Sequence, residues 1–74
     1  MINEKRIRIF TPYIKLDSFL KLAGACSTGG EAKQRIKSEE VKINDEVCVQ
    51  RGKKLFGGEK IILLESNVSY IVEK

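Results

Sequence analysis

Apolar and polar residues alternate along residues 5–10, where Ile7 and Ile9 fall on the same side of an extended chain. A period of two residues is typical of a half-buried β-strand. Arg6 and Arg8 occupy the other side, as on an exposed edge strand, where charge opposes aggregation. Pro12 cannot donate a backbone hydrogen bond, so we expect this strand to end before it.

Three later segments also have strand patterns. Residues 41–49 alternate on both sides of Asn44-Asp45, a pair that favours a tight turn and therefore predicts a hairpin. Residues 60–65 include a continuous apolar run, which predicts a central and buried strand. Residues 68–72 alternate weakly and are expected to close the sheet.

Two segments, residues 16–23 and 29–39, have the apolar spacing of helices. The apolar side of the first consists of Leu16, Phe19, Leu20, Leu22 and Ala23. Gly24 is expected to end that helix, while Ala32 and Ile36 are expected to face inward from the second. Neither helix is long enough to be stable alone. We therefore predict an α+β fold in which two short helices pack together against a small, mainly antiparallel β-sheet.

The length of 74 residues suits one small domain, residues 1–74. Hydrophobic residues make up 42% and charged residues 32% of the chain, the balance of an ordinary soluble protein. No apolar run is long enough to cross a membrane, and the first residues lack the apolar core of a signal peptide. We expect a cytoplasmic monomer that does not bind membranes.

Catalysis has little support in the sequence. The chain contains no His, which excludes Ser/His/Asp and Cys/His constellations. Two cysteines, Cys26 and Cys48, are too few for an ordinary four-ligand zinc site, and a reducing compartment disfavours a disulfide between them. We interpret both as small buried apolar residues. We therefore expect no catalytic residue, metal, cofactor or small-molecule substrate.

The start of the second predicted helix has the character of an anion-binding site. Thr28 and Glu31 have the spacing of a capping box. Gly29 and Gly30 occupy the first turn, where backbone N–H groups have no partner within the helix and where the dipole favours phosphate. A tight inter-helix turn is the other explanation for the glycines. Phosphate contact is favoured because two glycines cost helix stability without an obvious packing reason.

Basic residues extend this candidate surface. Lys33 and Lys37 follow Gly29 at four-residue spacing, on one face of the helix. Residues 51–54, here called the basic loop, place three cations within four positions. A net charge of +4 is by itself weak evidence for nucleic-acid binding, and we interpret Lys21 as an ordinary solvated lysine. The clustering of the other cations favours contact with phosphate.

The aromatic residues do not indicate binding of unpaired bases. Tyr13 and Tyr70 are isolated in the sequence, and Phe19 is expected in the core. We therefore predict no aromatic platform on which single-stranded bases would stack. Structured RNA, recognised through its backbone and shape, fits this composition better.

Four short segments occur in order along the chain. They are Leu16-Asp17-x-Phe19-Leu20, Ser27-x-x-x-Glu31-Ala32-Lys33, Val41-x-Ile43-Asn44 and Lys54-Leu55-x-x-Gly58-Glu59. Together they resemble the RNA-binding domain first known from small-subunit ribosomal protein four, also called the alpha-L motif. The resemblance covers about residues 14–62. Residues 29–33 and 51–55 look most like the short, stand-alone bacterial proteins that carry this domain.

The resemblance implies that two helices pack on a small sheet and that their exposed face, with an adjoining loop, binds structured RNA such as ribosomal RNA. With the basic loop, the candidate RNA-binding residues are Lys15, Ser27, Thr28, Gly29, Gly30, Lys33, Lys37, Arg51, Lys53 and Lys54. Glu39 and Glu40 stand near the end of the second helix, where many members have glycine. Carboxylates there repel phosphate, so we expect RNA at the N-terminal end of that helix.

The predicted function is therefore non-catalytic binding of structured RNA or of ribosomal particles. Two alternatives would use the same basic face. One is a protein-interaction module for an acidic partner, and the other is DNA binding.

Overall fold

The computed structural model describes residues 3–64 and 68–74. The elements in chain order are β1 (Asn3–Arg8), β2 (Ile14–Lys15), α1 (Leu16–Leu22), α2 (Gly29–Lys37), β3 (Val41–Ile43), β4 (Glu46–Val47), β5 (Lys54–Leu55), β6 (Lys60–Leu63) and β7 (Val68–Glu73). The predicted α+β class is confirmed, with two short helices and a mainly antiparallel sheet. Glu65, the last residue of one predicted strand, lies outside the described residues.

The main sheet has five strands in the order β1-β7-β6-β3-β4. β1 and β7 are parallel, whereas the other neighbouring pairs are antiparallel. The central position predicted for β6 is confirmed, as is the edge position of β1. Only alternate residues of β6 are buried, because Ile61 and Leu63 face the core while Ile62 is half-buried and Leu64 is exposed.

A second, two-stranded ladder was not evident in the sequence. Ile14 pairs with Leu55 and Lys15 pairs with Lys54, so that β2 and β5 run antiparallel. β2 leads directly into α1, and β5 begins at Lys54, the last residue of the basic loop. The ladder therefore attaches the basic loop to the start of the first helix.

The hydrophobic core lies between the helices and the main sheet. α1 contributes Leu16, Phe19 and Leu20, while α2 contributes Ala32 and Ile36. The sheet and the small ladder contribute Val41, Leu55, Ile61, Leu63, Tyr70 and Val72. The prediction that Leu22 joins the apolar side of α1 is wrong, because Leu22 lies at the last position of the helix and is exposed.

The hairpin between β3 and β4 has the predicted tight turn. Asn44 and Asp45 have positive φ values of 50° and 71°, which suit the primed turns of two-residue hairpins. The side-chain oxygen of Asn44 accepts a hydrogen bond from the amide of Lys60 at 3.0 Å. This bond connects the turn to the central strand.

Across the described ranges, 3–64 and 68–74, no helix is long and apolar enough to cross a membrane.

Candidate nucleic-acid interface

The N-terminus of α2 is capped by side chains. Thr28 lies in an extended conformation immediately before the helix, and its Oγ1 accepts a hydrogen bond from the amide of Glu31 at 3.1 Å. In return, Oε1 of Glu31 accepts from the amide of Ser27 at 3.2 Å. The predicted capping box is therefore present, except that its second bond reaches the residue before the cap.

The amides of Gly29 and Gly30 are open to solvent. Neither donates to a partner among the described residues, because they occupy the first turn of α2. Both glycines are exposed, and a methyl group added to either one would meet other atoms only at 3.9–4.0 Å. Neither has a positive φ. Packing and backbone conformation therefore do not require glycine at these positions.

Lys21 joins this site, which the sequence did not indicate. A methyl group at Gly29 would lie 4.0 Å from Cδ of Lys21, so the lysine stem runs beside the first turn of α2. Lys21 is exposed and lies in the last turn of α1, whose C-terminus it complements. Its placement depends on how α1 packs against α2, and the local sequence carries no signal for that.

The basic loop is fixed to the start of α1 through its backbone. The amide of Leu16 donates to the carbonyl oxygen of Lys53 at 2.9 Å, and the amide of Asp17 donates to that of Arg51 at 3.1 Å. The first amides of α1 are therefore satisfied by the loop itself. The side chains of Arg51 and Lys53 are exposed to solvent.

Lys15 and Lys54 lie directly opposite each other in the β2–β5 ladder. Both are exposed. Like charges directly opposite each other are generally unfavourable in a sheet. The ladder brings Lys15 together with the basic loop, although 36 or more residues separate them in sequence.

Tyr13 has an aromatic neighbour in the fold, so the interpretation of Tyr13 as an isolated aromatic residue is wrong. Its ring centroid lies 6.0 Å from that of Phe56, with the ring planes inclined by 51°. The ammonium nitrogen of Lys54 lies 4.9 Å from the centroid of the Tyr13 ring. Tyr70 also has a partner, since its ring meets that of Phe19 edge-on within the core.

The remaining candidates lie further along α2. Lys33 is half-buried one turn beyond Gly29, whereas Lys37 is exposed in the last turn of the helix. Lys37 is thus near the carboxylates that follow the helix, and its position already complements the helix C-terminus. Of the two, Lys33 is the better placed for an anion at the first turn.

The two cysteines have different environments. Burial raises the pKa of the Cys26 thiol, and the carboxylate of Glu31 raises that pKa further. Cys26 therefore remains a protonated, apolar residue beneath the start of α2. The prediction that Cys48 is buried is wrong, because it is half-buried and its Sγ donates to the carbonyl of Gln50 at 3.6 Å.

Comparison with known proteins agrees with this architecture. The family model of the S4 domain matches residues 7–72, which include both helices, strands β2–β6, the end of β1 and most of β7. The chain belongs to the S4 domain family. Its resemblance to the RNA-binding domain of ribosomal protein four is thereby confirmed. The match extends beyond residues 14–62 at both ends.

One protein similar to this chain comes from Bacillus subtilis (strain 168) and is named "Probable ribosome maturation protein RlbA". The two sequences are 44% identical over 55 residues, which cover 74% of this chain and 78% of the relative. The name associates that relative with ribosomes.

Proposed function

We propose that this S4 domain protein is a non-catalytic RNA-binding protein that holds structured RNA through phosphate contacts, with ribosomal RNA or a ribosomal particle as its target. It acts as a monomer and a single domain, in the cytoplasm and without a cofactor. The naming of the Bacillus subtilis relative as a ribosome maturation protein supports the choice of target.

The observation that carries the proposal is the placement of Lys15 opposite Lys54. Repulsion between these exposed lysines costs stability in the free protein, and a bound phosphate would relieve it. Arg51 and Lys53 extend the same cationic surface, because their carbonyl groups are fixed to the start of α1. The open amides of Gly29 and Gly30 provide a second anion site at the other end of α1.

The two anion sites are separated by the length of α1. Seven residues of helix correspond to roughly 10 Å, a spacing that one nucleic-acid strand can bridge. Lys21 lies beside the second site. The arrangement is suited to a backbone that crosses the helix pair, and it requires no particular base sequence.

Substituting Lys15→Glu tests the proposal because it should change stability and binding in opposite directions. A glutamate opposite Lys54 replaces repulsion by attraction, and a negative charge at the start of α1 is favourable. We expect unchanged or higher thermal stability together with weaker binding of a hairpin RNA, measured by fluorescence anisotropy. Lys5→Glu is the matched control, because it makes the same change of charge at an exposed position on β1.

The same titration should include a duplex DNA with as many phosphates as the hairpin. Tighter binding of RNA and sedimentation of the protein with ribosomal particles, both reduced by Lys15→Glu but not by Lys5→Glu, are the expected results. Equal binding of DNA would indicate a general polyanion-binding protein. Failure to bind either nucleic acid would contradict the proposal and favour an acidic protein as partner.

A further inference from the structure

Tyr13 and Phe56 form an exposed aromatic pair at the edge of the basic surface. Phe56 is 55% exposed and Tyr13 is 39% exposed, although their rings lie 6.0 Å apart. Aromatic side chains of this size are mostly buried in folded proteins. The core therefore does not account for the position of either ring, and each side chain leaves part of its surface accessible.

The backbone that carries Phe56 is held by one carboxylate. Oε2 of Glu59 accepts a hydrogen bond from the amide of Phe56 at 2.8 Å, and Oε1 accepts from the amide of Gly57 at 2.7 Å. Gly57 and Gly58 have φ values of 129° and 90°, conformations that favour glycine. Leu55, on the other side of Phe56, is fully buried. The ring is consequently presented to solvent from a fixed loop.

Tyr13 is held in a comparable way. Oγ1 of Thr11 donates to the carbonyl oxygen of Tyr13 at 2.7 Å, and the next residue, Ile14, belongs to the β2–β5 ladder. Because both rings are positioned by backbone contacts, little conformational freedom would be lost when a flat ligand binds to them.

The charges around the pair indicate what that ligand is. The ammonium group of Lys54 lies against the Tyr13 ring, and Lys15 is its neighbour across the ladder. A shallow concavity that includes Phe56 is lined in part by Arg8, Lys74 and Glu73. The carboxylate of Glu73 is engaged by Arg6 at 3.5 Å. Aromatic faces bordered by cations are complementary to a nucleotide, in which a flat base is joined to phosphate.

We propose that Tyr13 and Phe56 stack against one unpaired base of the RNA, while Lys54 and Lys15 contact the neighbouring phosphates. This inference rests on the proposed RNA-binding function and adds to it. Structured RNA would be held through its backbone at α1 and α2, and a bulged or terminal base beside it would be recognised at the aromatic pair.

Three hairpin RNAs test this inference. Each stem is closed by a hexaethylene glycol linker in place of a loop, so that a single bulged adenosine is the only unpaired base. The second RNA carries an abasic residue in the bulge, with the same number of phosphates, and the third has no bulge. The parent protein should bind the abasic RNA roughly 5- to 150-fold more weakly than the adenosine bulge, the range measured for base–aromatic stacking.

Phe56→Ala should bind the adenosine bulge as weakly as the parent binds the abasic one, and it should no longer distinguish the two. Leu64→Ala is the control, because it removes another exposed apolar side chain at the opposite end of the sheet and should behave like the parent. Melting curves verify folding. If Phe56→Ala is unstable, Phe56→Leu retains an apolar side chain without the ring.

Phe56→Trp adds a readout that does not depend on affinity. The chain has no tryptophan, so the new indole would be its only one, and its fluorescence should be quenched by the adenosine bulge but not by the abasic bulge. Equal affinities and equal fluorescence for both bulges would overturn the stacking proposal while leaving RNA binding intact. Absence of salt-dependent binding to all three RNAs would instead contradict the proposed function.

Discussion

At the scale of single residues, Thr28 shapes the proposed second anion site, which consists of the amides of Gly29 and Gly30. Its hydroxyl satisfies the amide of Glu31, and this fixes the direction in which the amides of Gly29 and Gly30 point. Glu31 returns a bond to Ser27 and also lies beside the buried thiol of Cys26. The Thr28 cap thus determines where α2 begins and how the amides of its first turn are oriented.

We predict that Thr28→Ala lowers the free energy of unfolding by about 1 kcal/mol, because the amide of Glu31 loses its acceptor. Thermal melting should detect this as a decrease of roughly 4–8 °C in Tm. RNA binding should weaken as well, since the helix start becomes less ordered. Thr28→Ser retains the hydroxyl and should melt near the parent. Unchanged melting of the alanine variant would mean that the cap contributes nothing.

Residue-level features were predictable where they depend on near neighbours. Thr28 and Glu31 are three positions apart, so the cap could be inferred from spacing alone. The Tyr13–Phe56 pair joins positions more than forty residues apart, through a ladder with only two residues in each strand. No periodicity of the sequence indicates such a pairing, and the prediction that Tyr13 is isolated fails for that reason.

At the scale of elements, α2 ends in a Schellman motif in which Glu39 occupies the position that usually holds glycine. The amide of Glu40 donates to the carbonyl of Arg35, and the amide of Glu39 donates to that of Ile36, which is the hydrogen-bond pattern of a Schellman motif. Glu39 occupies the left-handed position with a φ of 62°. Arg35 and Glu40 also form an ion pair at 3.2 Å across this turn.

We predict that Glu39→Gly stabilises the protein by about 1 kcal/mol, because glycine adopts a positive φ without the steric cost of a Cβ atom. Removing a carboxylate from the C-terminus of a helix should help further. Glu39→Ala is the matched control, since it removes the charge but keeps the Cβ atom. Chemical denaturation should rank the glycine variant above the alanine variant; the reverse order would show that charge and not conformation dominates at this turn.

The double substitution Gly29→Ala/Gly30→Ala tests backbone access at the start of α2. Both sites have room for a methyl group and neither has a positive φ, so the helix should be equally stable or gain up to about 1 kcal/mol per site. RNA binding should nevertheless weaken, because the methyl groups hold phosphate away from the open amides. Anisotropy and melting would be measured on the same samples.

Lys33→Ala provides the comparison for that double variant. It should also weaken binding, but with a smaller dependence on salt, because one phosphate contact is lost. The double-alanine protein should keep most of the salt dependence. A stable double-alanine protein that binds RNA as tightly as the parent would show that the first turn of α2 is not a phosphate site, and residues 51–54 would then be the leading candidate.

The helices and strands were predictable where apolar residues recur at a regular spacing along the sequence. Both helices begin where apolar spacing and the cap place them, although α2 ends at Lys37, two residues earlier than predicted. Among the main-sheet strands, β6 follows from a continuous apolar run and the others follow from alternation. β2 and β5 contain two residues each, too few for any period to be visible. That short ladder is what brings Lys15 to the basic loop, so the candidate site could be predicted only in separate parts.

At the scale of the whole molecule, the position of charge matters more than its sum. The chain carries a net charge of +4, yet Lys15, Lys54 and the basic loop lie at one end of α1, and Glu39 and Glu40 follow the far end of α2. The surface area is 4766 Å², and a single nucleic-acid-binding module buries roughly 600–1,000 Å² of protein. An interface of that size covers about a sixth of the protein surface, so the protein can contact only a few phosphates.

If about four phosphates are neutralised, the logarithm of RNA affinity should fall with the logarithm of salt concentration with a slope of roughly −3 to −4. Lys53→Ala should make the slope shallower by roughly 0.7–0.9, since one counterion-releasing contact disappears. Lys5→Ala removes the same formal charge from β1 and should leave the slope unchanged. Equal changes of the salt slope in both variants would show that RNA binding depends on the overall charge of the protein and not on the position of the lysine. A slope near zero for the parent protein would exclude binding through phosphates. The two lysines are both exposed, so only their positions distinguish them.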